Sequence, residues 1–437
     1  MLPRDKMSRL QEINRSSDAH ARLKALFDEG SFTETDAMLD AGVVTGRGTV
    51  EGSPCFAYAQ ANGVFTAASA ERVRRLYVLA QKNGAPVVGI FDSPGAKLTE
   101  GVELLSAYGV LLRAANSLSG VIPQIAVVTG ACLGTSALLA AAADFVIAAK
   151  DAEFYLTAAD SAESPAEAGV AHRTAESADA AVADARALIA LLPPNNLDAA
   201  PLFSFSEPDG VEALPDAEPD AADAIRAAAD AGSLYALSEG YAPEALTCLG
   251  TMAGQAAAFI GVSDALTAAG CRKLVRFVKF ADAFSLPVFT FLDTPGFAGG
   301  GVSAITYYAK LANVFAEATC PQIAVVIGRA YGPVFTALAG KSANADAVYA
   351  WPNAVISPLS PETAVSILYN DRISAEHTRA QLAAEYEDGE ASAFAAAAQG
   401  ALDDVIDPAQ TRAALIAALD MVSGKRETRL PKKHTTL

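Results

Sequence analysis

Short apolar runs, each followed by a glycine- or proline-bearing turn and then by a stretch of helical periodicity, recur along the chain. VVGIFD (87–92) leads through SPGAKLTEG into VELLSAYGVLLRAANSL, and IAVVTG (125–130) leads through ACLGT into SALLAAAAD. Apolar runs of this length closed by glycine or proline predict short buried strands, and their alternation with helical stretches predicts α/β units.

The pattern is written twice. FDEGSF (Phe27 to Phe32) matches ADAGSL (Ala229 to Leu234), and GTVEG (48–52) matches GTMAG (250–254), both at an offset of 202 residues. APVVGIFDSPGA (85–96) matches LPVFTFLDTPGF (286–297), which puts Asp92 on Asp293. IPQIAVVTGACLG (122–134) and CPQIAVVIGRAYG (320–332) share PQIAVV at an offset of 198, and ADFVIA (143–148) returns to 202 against ADAVYA (345–350). Matched blocks in one order imply a duplicated fold unit. A Pro-, Asp- and Ala-rich stretch, Pro193 to Asp223, separates the copies. The expected domains are residues 1–195 and 226–437, joined by a linker over 196–225.

Composition narrows the class. A chain of 437 residues, 52% hydrophobic, exceeds the size at which one core stops growing. Its apolar excess is mostly alanine, no uncharged run has the flanks of a membrane helix, and the first 26 residues are too charged for a signal peptide. A net charge of −18 argues against nucleic acid, and basic residues cluster only in GKRETRLPKKH (424–434). Five cysteines without CxxC spacing read as buried, reduced thiols in a cytoplasm.

Candidate chemistry sits where strands pass into helices. Gly130, Gly134 and Thr135 in the first copy, and Gly328 and Gly332 in the second, stand where unpaired N–H groups at a helix start meet a small-residue turn. Such turns build oxyanion holes, and they also occur as plain strand-to-helix corners. DSPGAKLTEG and DTPGFAGGG also follow strands and are candidates for a second donor or for ordinary turns. Lys82 and Lys97 lie near the first loop as candidate phosphate contacts or solvated surface. The histidines, His20, His172, His377 and His434, fall outside the repeated motifs. HExxH, GxSxG, P-loop and GxGxxG patterns are all absent. Chemistry therefore falls to main-chain donors and to a reactive group brought by substrate or cofactor, with no metal expected in this chain.

These segments, with LFDEGSFTETD, FVKFADAFSLPVFTFLDTPGF, YAWPNAVI and DDVIDPAQTRAAL in the same order, resemble the carboxyltransferase subunits of biotin-dependent acyl-CoA carboxylases and decarboxylases. That family is a duplicated branch of the crotonase-like superfamily. The resemblance implies two tandem α/β domains, each a ββα superhelix. It implies acyl-CoA against the first half, biotin on a separate carrier protein against the second, and CO2 moving between them. It further implies a homodimer or higher oligomer, cytoplasmic or peripheral to a membrane complex, with a membrane decarboxylase subunit or a biotin carboxylase as further partners.

Carried over residue by residue, the resemblance puts the first hole on Gly134 and Thr135 and the second on Gly332 and Val334. Gly95, Ala96, Lys97, Gly130, Gly296 and Thr336 become substrate contacts, Thr336 at the place that gauges acyl-chain size. Four positions depart from the family pattern: Pro94 and Lys97 stand in its SGGAR loop, Thr135 in its glycine pair, and Pro333 in its AYGGAY motif. Proline has no N–H to donate. Two further readings therefore stay open, a catalytically weakened paralogue kept as a docking subunit, and a crotonase-like hydratase or thioesterase using Glu100 or Glu103. The acyl group and the direction of CO2 transfer are not written in the sequence.

Overall fold

The computed structural model describes residues 17–38, 42–60, 62–157, 162–208 and 220–427. Much of the Pro/Asp-rich stretch, part of the acidic run after Leu156, and the basic tail beyond Glu427, His434 included, lie outside the described residues. The chain divides into two compact units, 1–201 and 202–437.

Unit 1 is built on one sheet. Its strands are β1 (Thr33–Thr35), β2 (Val43–Val50), β3 (Ser53–Gln60), β4 (Val87–Ser93), β5 (Gln124–Leu133), β6 (Phe145–Ala149), β7 (Glu153–Tyr155) and β8 (Arg173–Ala175). They run in the order β1-β2-β3-β4-β5-β6-β8, with β7 added to the far end of β5. The first three pair antiparallel and the rest parallel. Helices α1 (Asp18–Leu26), α2 (Ala67–Asn83), α3 (Val102–Asn116), α4 (Thr135–Ala141) and α5 (Ala178–Leu191) pack on it.

Unit 2 repeats the plan after helix α6 (Ala221–Ala228). Strands β9 (Tyr235–Leu237), β10 (Ala245–Met252), β11 (Gln255–Val262), β12 (Val288–Thr294), β13 (Gln322–Tyr331), β14 (Ala347–Ala350), β15 (Val355–Ser357) and β16 (Asp404–Val405) take the order β16-β14-β13-β12-β11-β10-β9, with β15 on β13. Strand for strand this is the order of unit 1. The duplicated α/β fold expected from the repeats is the fold observed.

Local chemistry explains the matching elements. Helix α2 starts at a capping box in which the Thr66 hydroxyl accepts from the Ser69 amide, and it stops at Gly84 in the left-handed conformation. Its counterpart α7 (Ala268–Ala283) starts at Thr267, whose hydroxyl accepts from the Gly270 amide without the reciprocal bond of a capping box. Central strands buried on both faces, VVGIFD and VFTFLD among them, are apolar runs rather than alternating ones. The remaining helices are α8 (Ile305–Glu317), α9 (Pro333–Ala339), α10 (Pro361–Leu368), α11 (Arg379–Gly389), α12 (Ala393–Ala398) and α13 (Thr411–Val422). Helices α10 to α12 form an addition between β15 and β16 with a small core of its own around Val365, Leu382 and Tyr386. The matching interval of unit 1 holds no helix among the described residues.

One clasp was not anticipated from the sequence. The Asp28 carboxylate accepts from the Thr49 hydroxyl and the Glu51 and Gly52 amides, and it pairs with Arg186 on α5 at 2.6 Å. In unit 2, Asp230 repeats this with Thr251, Ala253, Gly254 and Arg412. All five cysteines are free and buried.

Candidate active site

The candidate turns sit at the carboxyl ends of adjacent parallel strands, the usual place for ligands in open α/β sheets. Ser93, the last residue of β4, pairs with Cys132 near the end of β5, and Thr294 pairs with Ala330 in the same way. Each unit therefore brings one loop and one helix start together.

In unit 1, β5 does not stop at Gly130; it runs on to Leu133, and helix α4 starts at Thr135 after Gly134 at φ +61°. A non-glycine residue rarely adopts that conformation. The Gly134 amide, expected to be a donor to substrate, instead donates to the Tyr155 carbonyl on β7 at 3.2 Å. The first donors without an acceptor among the described residues are the amides of Thr135 and Ser136. Ser136 escaped the sequence reading. Its hydroxyl lies 2.8 Å from that of Tyr108 on α3, with both residues buried, so the helix start is tied to the helix that follows the first loop. Burial raises the Tyr108 phenol above its ordinary pKa, partly offset by its bond to Ser136, so the hydroxyl stays protonated.

Gly130 also has a different role from the one expected. A β-carbon there would run into the Asp92 carboxylate, which pairs with Arg22 of α1 at 2.8 Å. The glycine makes room for an ion pair beneath the turn. Gly328 does the same for Asp293, which pairs with Arg329 at 2.9 Å.

The first loop is held by side-chain hydroxyls. The Ser93 hydroxyl accepts from the Gly95 amide at 3.3 Å and donates to the Gly63 carbonyl at 2.7 Å. Phe65 bridges the loop, its amide donating to the Gly95 carbonyl and its carbonyl accepting from Lys97. In that parallel pairing the Ala96 amide faces away from Phe65. In unit 2, Thr294 holds Gly296, and Leu266 bridges Gly296 and Ala298, which turns the Phe297 amide outward in the same manner. The Tyr308 hydroxyl donates to the Ala298 carbonyl, and its ring stacks on Phe297 at 4.4 Å. Lys97 is half-exposed and 3.4 Å from Glu100, whose other oxygen accepts the Ala67 amide at the start of α2. Glu100 is thus a helix cap and is not poised to activate water; Glu103 lies exposed on α3.

At the start of α9, Gly332 takes φ +63° and its amide donates to the Ser357 carbonyl at 2.7 Å, matching Gly134 and Tyr155. Pro333 is the first residue of the helix, the place Thr135 holds in α4. The Val334 amide is therefore the first N–H of this helix start, and its side chain is fully buried. Burial, with Glu387 nearby, pushes the Tyr331 phenol at the end of β13 up to about 12.

Each unit holds a cavity beside this helix. In unit 1 it is an apolar notch of about 240 Å³ between the body of α4 and β7, lined by Ala137, Leu138, Phe154, Tyr155, Glu163 and Pro165 rather than by the amides of Thr135 and Ser136. In unit 2 it is a cleft of about 770 Å³ running from Gly332, Pro333 and Thr336 to Glu390 and Gln399. The structure thus joins Ser136 to Tyr108 in one unit and Phe297 to Tyr308 in the other. The amides of Gly134 and Gly332 are taken by the Tyr155 and Ser357 carbonyls.

A family model described as the carboxyl transferase domain matches residues 14–166 and 164–437. The chain is 34% identical to the methylmalonyl-CoA decarboxylase subunit alpha of Veillonella parvula, over 95% of this chain and 92% of that one. It is also 34% identical to the methylmalonyl-CoA carboxyltransferase 12S subunit of Propionibacterium freudenreichii subsp. shermanii, over 95% and 90% of the two chains. Among solved structures, the transcarboxylase 12S hexamer with hydrolyzed methylmalonyl-coenzyme A bound superposes with a TM-score of 0.89 at 30% identity, over 98% and 94% of the two chains.

Proposed function

The chain belongs to the carboxyl transferase domain family, and from that premise we propose that it moves CO2 between biotin on a carrier protein and the α-carbon of a short acyl-CoA. The observation that carries this reading is the helix start of unit 1, where the amides of Thr135 and Ser136 have no acceptor among the described residues and follow a strand whose end pairs with Ser93, the residue that opens the Ala96 loop.

Removing CO2 from, or adding it to, the carbon beside a thioester places negative charge on the thioester oxygen. The amides of Thr135 and Ser136, with that of Ala96, supply fixed donors for this charge, and the Tyr108–Ser136 bond keeps the helix start in place. Preorganised donors of this kind contribute most where water is excluded. Biotin, when present, supplies the ureido group that carries CO2. Within unit 2, the Val334 and Phe297 amides and the cleft beyond Pro333 are the groups that would hold it, and the cleft is large enough to take an organic ring with a side arm. The names of the relatives favour methylmalonyl- or propionyl-CoA as the thioester.

Assembly follows from surface chemistry. Val102 and Leu105 on α3 are 76% and 64% exposed, and Val302 and Ile305, at the same places before and on α8, are 83% and 57% exposed. Matched apolar stripes suit association between copies of the chain, consistent with the hexamer of the transcarboxylase relative. No helix among the described residues is long and apolar enough to cross a membrane.

Pro333 favours a second reading, in which the chain keeps the fold and docks a carrier or an active paralogue while catalysing poorly. Transfer of labelled CO2 from a carboxylated carrier protein to propionyl-CoA separates the two. Turnover by the purified chain supports the enzyme; no turnover with any of acetyl-, propionyl- or crotonyl-CoA, the last the acceptor that would give glutaconyl-CoA, together with tight carrier binding, supports the docking subunit.

A further inference from the structure

Resting on the reading that biotin meets unit 2, we infer that the cleft there grips the arm of a biotinylated lysine by its amide, with Gln399 donating to the amide carbonyl and Glu390 accepting from the amide N–H. The cleft of about 770 Å³ falls within the range of about 300 to 1,000 Å³ typical of small-molecule sites. Alanines of α8 and α9, Ala312, Ala316 and Ala337, line part of its wall, a surface suited to methylenes. Besides Thr336 and Ser357 near the helix start, its polar lining consists of Glu390 and Gln399. One oxygen of Glu390 is taken by the Tyr369 hydroxyl, leaving the other for a ligand donor, and the Gln399 side chain bonds to nothing among the described residues. A secondary amide on an alkyl arm presents one N–H and one C=O, which a carboxylate beside a carboxamide matches.

Two further observations point the same way. Glu390 and Gln399 directly follow α11 and α12, part of a helical addition with no counterpart among the described residues of unit 1, so the pair belongs to the half assigned to biotin. Pro333 leaves that helix start one amide short, so holding the ring depends more on contacts along the arm. The carboxylate of free biotin, in contrast, would face Glu390 in a chain of net charge −18.

The test is calorimetric titration of the full chain with biotin N-methylamide and with free biotin, alongside carboxyl transfer from a biotinylated carrier. The neutral amide should bind tighter by about tenfold, the scale of a hydrogen bond to a charged acceptor. Glu390→Gln should narrow that gap by improving free biotin, and Gln399→Ala should weaken the amide several-fold, both variants melting as the wild type does. Equal affinities, an unchanged ratio in Glu390→Gln, or no binding of either ligand would overturn the inference. Transfer with equal affinities would remove the inference and leave the function standing; selective amide binding without transfer would do the reverse.

Discussion

Thr135 and Pro333 occupy one position in two copies of the same turn, each the first residue of a seven-residue helix behind a glycine at φ +61° or +63°. One contributes an amide and the other cannot. Proline is well suited to the first turn of a helix, so unit 2 shows that the backbone accepts it there without rearrangement.

That equivalence gives the first prediction. Thr135→Pro should leave folding intact yet lower carboxyl transfer by about 10² to 10³, the usual cost of one lost oxyanion donor. Pro333→Gly should raise the rate by restoring an amide in unit 2, with little change in KM for the acyl-CoA. Steady-state kinetics with a carboxylated carrier decide the matter. Unchanged rates in both variants would mean that neither helix start touches the reacting groups.

Gly130 and Gly328 should prove structural. A β-carbon at Gly328 would lie 2.6 Å from the Asp293 carboxylate, and one at Gly130 would meet Asp92 more closely still. Alanine at either site should cost about 1–3 kcal/mol, as overpacking does. Asp92→Ala should recover part of the Gly130→Ala loss, since removing the carboxylate relieves the overlap. Denaturant titration of the two single variants and the double variant measures this. Full additivity would contradict the packing account.

What the sequence made legible, and what it did not, divides along contact range. The repeated blocks led to a duplicated α/β fold because strand runs and the turns that end them are local features. The place of Pro333 in the second helix start followed from the same alignment. The amides of Gly134 and Gly332 were misjudged because their acceptors, Tyr155 and Ser357, come from short strands β7 and β15 whose three residues carry no strong pattern. The packing need for Gly130 was not legible because nothing near it in the chain announces Asp92 as its neighbour. The Asp28–Arg186 clasp joins residues 158 positions apart and left no local signal.

Acid should loosen both clasps. Hydrogen bonds from Thr49 and the Gly52 amide, with Arg186, hold the Asp28 carboxyl well below its ordinary value. Asp230 is also lowered; burial, the largest influence, raises it, but Thr251, Gly254 and Arg412 together outweigh that. A carboxyl depressed in the folded state stabilises the fold above its unfolded value of 3.8 and loses that contribution as pH falls through the folded value. Stability should therefore decline below about pH 4. Asp28→Asn should be less stable than wild type at pH 7 and should show a shallower acid slope. Thermal melts between pH 2.5 and pH 7 check both points; parallel slopes would place the acid sensitivity elsewhere.

The matched stripes at the starts of α3 and α8 lead to the last prediction. Val102 and Leu105 in one unit and Val302 and Ile305 in the other are too exposed to serve the core, and each pair lies one turn apart on one side of its helix start. Singly exposed apolar residues are ordinary, but a stripe repeated in both copies of a duplicated fold is a surface built for contact. Leu105→Glu should therefore lower the oligomeric state seen by light scattering, because a carboxylate in an apolar contact is costly unless it is paired. Ile305→Glu should do the same from the other unit. The melting temperature measured at high dilution, where association no longer contributes, should barely change, because neither side chain packs in its own core. If both variants keep the assembly of the wild type, the stripes do not form its interface.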